Sequence, residues 1–284
     1  MRAKIGTLCL VLLVGAGLAA AQARQVTVSY ADVYCSGMYS KEGMPRDTYI
    51  ISGEESDIKI TFGQGQWVYI NRGSSGGVKV GDEFLVSRPE KDTGGISWFA
   101  WQWKLKQAMG TLWKDVGRLK VIHVEANTSI AEVVFTCDMM QRGDYLRPFA
   151  ERSAPVIQPG AVDPFAPSSG KTTGMVVTAK NWQVMVGPYE VFYLNLGSAQ
   201  GVKEGDVVRI FRHPGTRQEM LYRPYGAAYT SYGFGSTPVR YTWKDLPREI
   251  LGEGVVLRSS ENSSTVLVTK VLREIFLGDY VEIK

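Results

Sequence analysis

Few residues of this chain have the type and spacing that chemistry demands. It carries two histidines, His123 and His213, and three cysteines, Cys9, Cys35 and Cys137. His123 stands among valines and an isoleucine in a stretch that reads as a strand, and His213 precedes Pro214-Gly215 in a turn. His123 is therefore expected to be a packed or edge residue rather than a base. Zinc needs several His, Cys or carboxylate ligands at supporting spacings, and no HxxxH or pair of CxxC occurs. The nucleophile elbow GxSxG, HExxH and the Walker phosphate loop are read as absent as well. The acidic run Glu54-Glu55-Ser56-Asp57 falls on a turn, where a solvated face is the ordinary role. No catalytic residue, metal site or cofactor is therefore expected. A hydrolase built on two sequence-distant acids stays open as an alternative.

The elements that would position any site are written twice. Trp67 to Phe84 recurs at Val191 to Val208, with Asn71, Gly73, Ser74, Gly77, Val78, Lys79, Gly81 and Asp82 matched by Asn195, Gly197, Ser198, Gly201, Val202, Lys203, Gly205 and Asp206 at one offset (195 − 71 = 124). β-branched and aromatic residues lead into each glycine run and a second apolar run follows, which reads as strand, turn, strand. Glycines four apart suit positive φ. The valine between them is expected to drop into the core, with Asp82 and Asp206 hydrogen-bonded to their own turns. Gly117 to Gly143-Asp144-Tyr145 then matches Gly252 to Gly278-Asp279-Tyr280 at an offset of 135 (252 − 117), so the second copy carries an insertion. Each copy offers about five short strands, enough for a closed sheet, and the fold class is all-β.

Asn-x-Gly-Ser-x-x-Gly-Val-Lys-x-Gly-Asp, the glycine-led strand pair and the closing Gly-Asp-Tyr resemble the small SH3-like barrel at the C-terminus of the flagellar assembly protein T family. A similar turn occurs in the β-domains of the rod-shape-determining protein C family. The likeness covers about 100 residues of each copy, while the other domains of the first family are not recognisable. It implies a periplasmic, non-catalytic scaffolding module and names no partner. The expected architecture is two tandem SH3-like barrels joined by a Pro-rich linker, with a short helix inserted in the first.

Residues 1–23 have the layout of a secretory signal: Arg2 and Lys4, an apolar run from Leu8 to Leu18, then Ala21-Gln22-Ala23. A membrane anchor is the rival reading, and the run is short for a span. Removing Arg2 and Lys4 takes the formal charge from +4 to about +2, too mild for nucleic acid. The expected location is periplasmic or secreted, with no stable membrane span once the signal is gone. In an oxidising compartment Cys35 and Cys137, the latter placed in the last strand of the first barrel, are expected to pair, stapling an N-terminal extension (24–47), extended over Val26 to Tyr34, onto barrel repeat 1 (48–149). Pro148, Pro155, Pro159, Pro164 and Pro167 mark a linker (150–172) expected to hold the repeats apart and let them move. Barrel repeat 2 runs 173–284.

Two insertions are rich in aromatic residues. In the first, Trp98, Trp101, Leu105, Ala108 and Leu112 follow helical spacing, with Ser97 as N-cap and Gly117 as stop. The alternation Phe99, Trp101, Trp103, Leu105 would suit a hairpin instead. Trp98, Trp101, Trp103 and Trp113 either cap an open barrel end or form a partner or glycan platform, with membrane contact a third option. The second insertion, His213 to Pro247, holds Tyr222, Tyr225, Tyr229, Tyr232, Phe234, Tyr241 and Trp243 among glycines, a composition suited to a binding loop or to a loop folded on its own barrel. The function expected is an exported, non-enzymatic cell-envelope protein that binds a protein partner through these aromatics. A carbohydrate or peptidoglycan-binding module is the alternative.

Overall fold

The computed structural model describes residues 26–92, 97–213 and 247–284. The expected signal sequence lies outside them. Before the first barrel come β1 (Val26–Thr27), α1 (Tyr30–Tyr34) and β2 (Met38–Ser40). The first copy contains β3 (Ile50–Gly53), β4 (Thr61–Phe62), β5 (Trp67–Ile70), β6 (Glu83–Glu90), α2 (Gln102–Met109), β7 (Thr111–Val124), β8 (Ser129–Thr136), β9 (Met140–Gln141) and β10 (Tyr145–Pro148). β11 (Val156–Ile157) precedes the second copy: β12 (Thr173–Ala179), β13 (Met185–Val186), β14 (Val191–Leu194), β15 (Val207–Arg212), β16 (Glu249–Ser259), β17 (Ser264–Val271), β18 (Ile275–Phe276) and β19 (Tyr280–Ile283). The fold is all-β.

The second copy is a closed barrel of order β12-β14-β17-β16-β15-β19. The first runs in the equivalent order, β3-β5-β8-β7-β6-β10, and its ends meet where Ile50 N–H donates to Asp144 O and Leu146 N–H to Thr48 O. Small hairpins pair β4 with β9 and β13 with β18 at matching places. Even the irregularities are copied. Register shifts at Ile50/Ser52, Val86/Ser87, Arg118/Leu119 and Val121/His123 recur at Val176/Thr178, Ile210/Phe211, Glu253/Gly254 and Val256/Arg258. A bulge re-aims one side chain and bends its strand, so the two barrels curl at the same points.

The glycine turns show why this text is kept. Gly77 and Gly81 have φ of 86° and 93°, and Gly201 and Gly205 of 82° and 87°, values that a side chain resists. Gly73 and Gly197 are needed for closeness instead: a Cβ there would lie 2.3 Å from Glu125 O and 2.1 Å from Ser260 O. Val78 and Val202 are buried under the turns. The Asp82 and Asp206 carboxylates each accept the N–H of the lysine three residues earlier at 2.8 Å. The closing Gly-Asp-Tyr carries a second repeated device. Arg88 grips Asp144 through two N–H···O bonds of 2.6 and 2.8 Å, and Arg212 grips Asp279 through two of 2.6 Å. Paired bonds of this kind are strong and directional, and here they tie β6 to the turn before β10 and β15 to the turn before β19.

Four expectations are corrected. The run Val26 to Tyr34 is a two-residue strand followed by α1, because Ser29 caps a helix by accepting the Asp32 N–H at 3.1 Å. Cys137 lies just beyond β8 and not in the barrel's last strand, since β9 and β10 of the first copy are still to come, and is bonded to Cys35 with Cα atoms 5.4 Å apart. The inserted helix ends at Gly110, well before Gly117, and Trp101 rather than Ser97 occupies its N-cap position. Gly110 turns the chain with φ of 97° where a Cβ would meet Ser40 O at 2.4 Å. The linker does not hold the barrels apart. β11 pairs with β1, Val162 and Ala166 pack on Phe211 and Ile250, and Arg248 donates to the Ala166 and Pro167 carbonyls.

The barrels share a core because the outer face of the second is itself apolar. Val177, Val191, Tyr193, Val255, Leu257 and Leu267 form one cluster with Val28, Val33, Tyr34, Tyr39, Leu85, Met109 and Leu112 from the N-terminal segment and the first copy. Each such side chain stabilises by about 1.5–3 kcal/mol when fully buried, so separating the barrels would be costly. Polar bonds fix the register: Tyr193 Oη donates to Ser36 O, Thr265 Oγ1 to Gly37 O and Ser260 Oγ to Tyr39 O. Behind them Arg258 meets Asp115 at 2.8 Å, both nearly inaccessible.

Candidate functional site

The first insertion is pinned to the second barrel, not to its own. Gln102 is buried. Its Oε1 accepts the Trp98 N–H at 2.8 Å and its Nε2 donates to Val177 O at 2.7 Å, on β12. Phe99 enters the second barrel's core beside Leu277 and Val281 and lies against Gly278, with Trp98 and Leu105 packed alongside. Barrel capping is thus what Trp98 and Phe99 do, with the copies exchanged. Helical spacing points to Trp98 in the sequence, whereas Phe99 stands out there only as one position of a hairpin alternation. The signal available was a phenylalanine among tryptophans that have a polar N–H to satisfy.

Trp113 is corrected more sharply. It is fully buried in β7, with Tyr145 edge-on at 6.0 Å and the Arg46 guanidinium over its ring, so it offers no surface to a partner. Its position is fixed because β2 pairs with the start of β7, Met38 opposite Trp113.

Trp101 and Trp103 remain outside, at 65% and 51% exposure. The inner positions Gln102, Leu105 and Met109 take the buried face of α2, which leaves these two rings on the solvent side. Lys104 lies between them, its Nζ 4.3 Å from the Trp101 centroid and 5.5 Å from that of Trp103. Trp101 has φ of 70°, a conformation rare for a bulky residue and held only when the surroundings over-determine it. A cation over two indole faces makes an amphipathic platform suited to an apolar or flat partner surface. The far end of α2 borders a groove of about 400 Å³ whose lining includes Tyr39, Arg46, Glu90, Asp92, Lys106 and Trp182. The seven aromatics from Tyr222 to Trp243 lie outside the described residues.

The titratable groups of the interior are engaged in structure. Tyr39 and Tyr193 have phenols raised well above the ordinary range by burial, with nearby carboxylates adding to it. Burial alone would raise the Glu282 carboxyl. The Arg248 hydrogen bonds, the Ser169 N–H and Arg209 outweigh it and hold the group at about 2. A depressed acid contributes stability above its unfolded value of 4.5 and loses it as pH falls from there toward 2. Acid titration of the fold is therefore expected to show a loss of about 3 kcal/mol across that window, abolished in Glu282→Gln. An unchanged acid profile in that variant would refute the assignment. Among the described residues no group of three or more His, Cys, Asp or Glu is placed to hold a metal.

The expected absence of the nucleophile elbow is also corrected. Gly73-Ser74-Ser75-Gly76-Gly77 fits GxSxG, a motif that works on a strand-to-helix elbow. Here it is a single 3-10 turn between two strands, and the second copy has Ala199 at the position of Ser75. Both turns are anchored by equivalent backbone bonds, Ser75 N–H to Ala126 O and Ala199 N–H to Glu261 O. The turn is a barrel element. No protein-family model matches the chain, and comparison with curated proteins likewise finds no match.

Proposed function

We propose that the protein is an exported, non-enzymatic component of the cell envelope that holds a protein partner through aromatic rings presented on a rigid pair of β-barrels. The observation that carries this reading is the Trp101-Lys104-Trp103 platform: two large rings kept in solvent on a helix whose other face is locked into the second barrel. Aromatic residues on rigid supports are the usual anchors of interfaces. Export is supported by the Cys35–Cys137 bond, since disulfides persist in oxidising compartments. The turn text that resembles the flagellar assembly protein T family suits a scaffolding role, and a flagellar setting belongs to this proposal on those residues alone. The Tyr222 to Trp243 aromatics enter on composition.

The test is cross-linking in the native envelope, comparing the parent with Trp101→Ala/Trp103→Ala. Loss of the cross-linked partner by at least about tenfold is expected, in line with two interface anchors, at an unchanged melting temperature. Full retention of the partner would sink the assignment. The same exposed rings could stack on sugar faces, which is the second reading. Sedimentation with purified cell-wall sacculi, lost in the double variant, would favour it over a protein partner.

A further inference from the structure

Among the described residues, six buried side-chain polar atoms find no hydrogen-bond partner, and four of them share one patch of the joint: Ser36 Oγ, Ser87 Oγ, Trp113 Nε1 and Arg147 Nε. Strand register makes them neighbours. Ser87 on β6 pairs with Asp115 on β7 and with Tyr145 on β10, Arg147 follows Tyr145 by two residues on the same face, and Trp113 precedes Asp115 by two. The Arg147 side chain therefore crosses β6 to approach Asp115. Ser36 comes in beside Gly37, whose N–H reaches the same carboxylate at 2.9 Å. Ser36, Ser87 and Trp113 are all fully buried.

This patch has more donors and more positive charge than its one acid can serve. Asp115 is the carboxylate that Arg147, Arg152 and Arg258 share. It already takes Arg258 Nη1 at 2.8 Å and Nη2 at 3.3 Å, the Gly37 N–H at 2.9 Å and Arg147 Nη2 at 3.5 Å. A carboxylate has about four acceptor sites, so Asp115 has nothing left for Arg147 Nε or the serine hydroxyls. A water could accept from some of these donors, yet it brings two hydrogens that need acceptors of their own. An anion accepts from all of them and supplies the missing charge.

The second copy meets the same place with a carboxylate of its own. Leu85 opposite Arg147 corresponds to Arg209 opposite Glu282, and Glu282 binds Arg209 at 3.0 Å and Arg248 at 2.7 Å. Ser87 and Asp115 correspond to Phe211 and Ile250. Where one barrel builds in an acid, the other sets a guanidinium. From this we infer that the joint binds a small anion of halide size, held by Arg147 Nε and the Ser36 and Ser87 hydroxyls beside the Arg258–Asp115 pair. Ser87 and Arg147 stand on paired strands about 4.8 Å apart, a spacing that lets their donors converge on a single atom. The Arg147 side chain is 23% exposed, which gives the ion a way in. The ion is the counter-charge that holds the two barrels together at this point.

Chloride is the probe, exchanged for gluconate at constant ionic strength so that screening does not change. The melting temperature of the full-length protein should rise with chloride and saturate. The chloride NMR line should broaden in the presence of the protein and sharpen again when bromide competes. Ser87→Ala removes an orphaned hydroxyl, so in gluconate it should be at least as stable as the parent. Its chloride affinity should nevertheless fall at least about tenfold, the worth of one hydrogen bond to a charged group. Arg147→Met should abolish the chloride response. A parent without a saturable response to chloride would overturn the inference, as would a Ser87→Ala protein that binds chloride as tightly as the parent.

Discussion

Asp115→Ala is expected to destabilise the protein by about 3–5 kcal/mol, the cost of leaving a buried charge without its counterion. The carboxylate is 3% exposed and accepts from Arg258 at 2.8 Å, from Gly37 N–H at 2.9 Å and from Arg147 at 3.5 Å. Three guanidinia lie within its field. Burial, then the charge of Arg258, lowers the Arg147 and Arg152 values, the latter to about 10, while Asp115 works the other way. Removing the one acid leaves these cations facing each other across the shared core of the barrels. The joint between the copies should fail first, so denaturant unfolding should split into two transitions. Arg258→Met/Asp115→Leu should recover part of the loss, since an apolar pair needs no desolvation, with Arg147 and Arg152 limiting the recovery. A change below about 1 kcal/mol in Asp115→Ala, the value of a surface pair, would refute this account.

Reduction of the Cys35–Cys137 bond is expected to cost a similar amount. The bond closes a loop of 102 residues, for which chain entropy gives about 4.7 kcal/mol. It also anchors α1, whose Val33 and Tyr34 belong to the core between the barrels. Loss of the bond therefore releases a segment that both copies need. Cys35→Ser/Cys137→Ser should lower the denaturation midpoint by this amount, and reductant should do the same to the parent and nothing to the variant. Identical midpoints with and without reductant would show that the bond does not bear on the folded state.

Much of this was legible. The glycine and aspartate spacing of Asn71 to Asp82 and Asn195 to Asp206 gave the turns, and an offset constant within each half of the repeat gave two equivalent barrels, because turns and strand alternation are set by neighbours a few residues apart. The cysteine pair followed from count and from the compartment expected of the N-terminal sequence. Other features were written but not read. Ala131-Glu132-Val133 sets a charge between buried residues of β8, whereas the matching Val266-Leu267-Val268 of β17 is apolar and buried throughout, and an unbroken apolar run is the mark of a strand covered on both faces. That contrast says the second barrel is packed on something and the first is not.

What the amino-acid sequence determined by itself is the unit: an all-β repeat with glycine-shaped turns, a buried valine at each and a repeated set of bulges. What only the tertiary structure decided is the assembly of the two units. Phe99 and Gln102 serve the other copy, Trp113 is inside while Trp101 is outside, and the proline-rich stretch lies on a barrel instead of spanning a gap. The reason is that apolar burial has no direction. It dictates that a face must be covered, and two barrels of the same design offer the same insertion two places to go. Contacts between residues far apart in the chain, such as Gln102 with Val177 and Asp115 with Arg258, select between them.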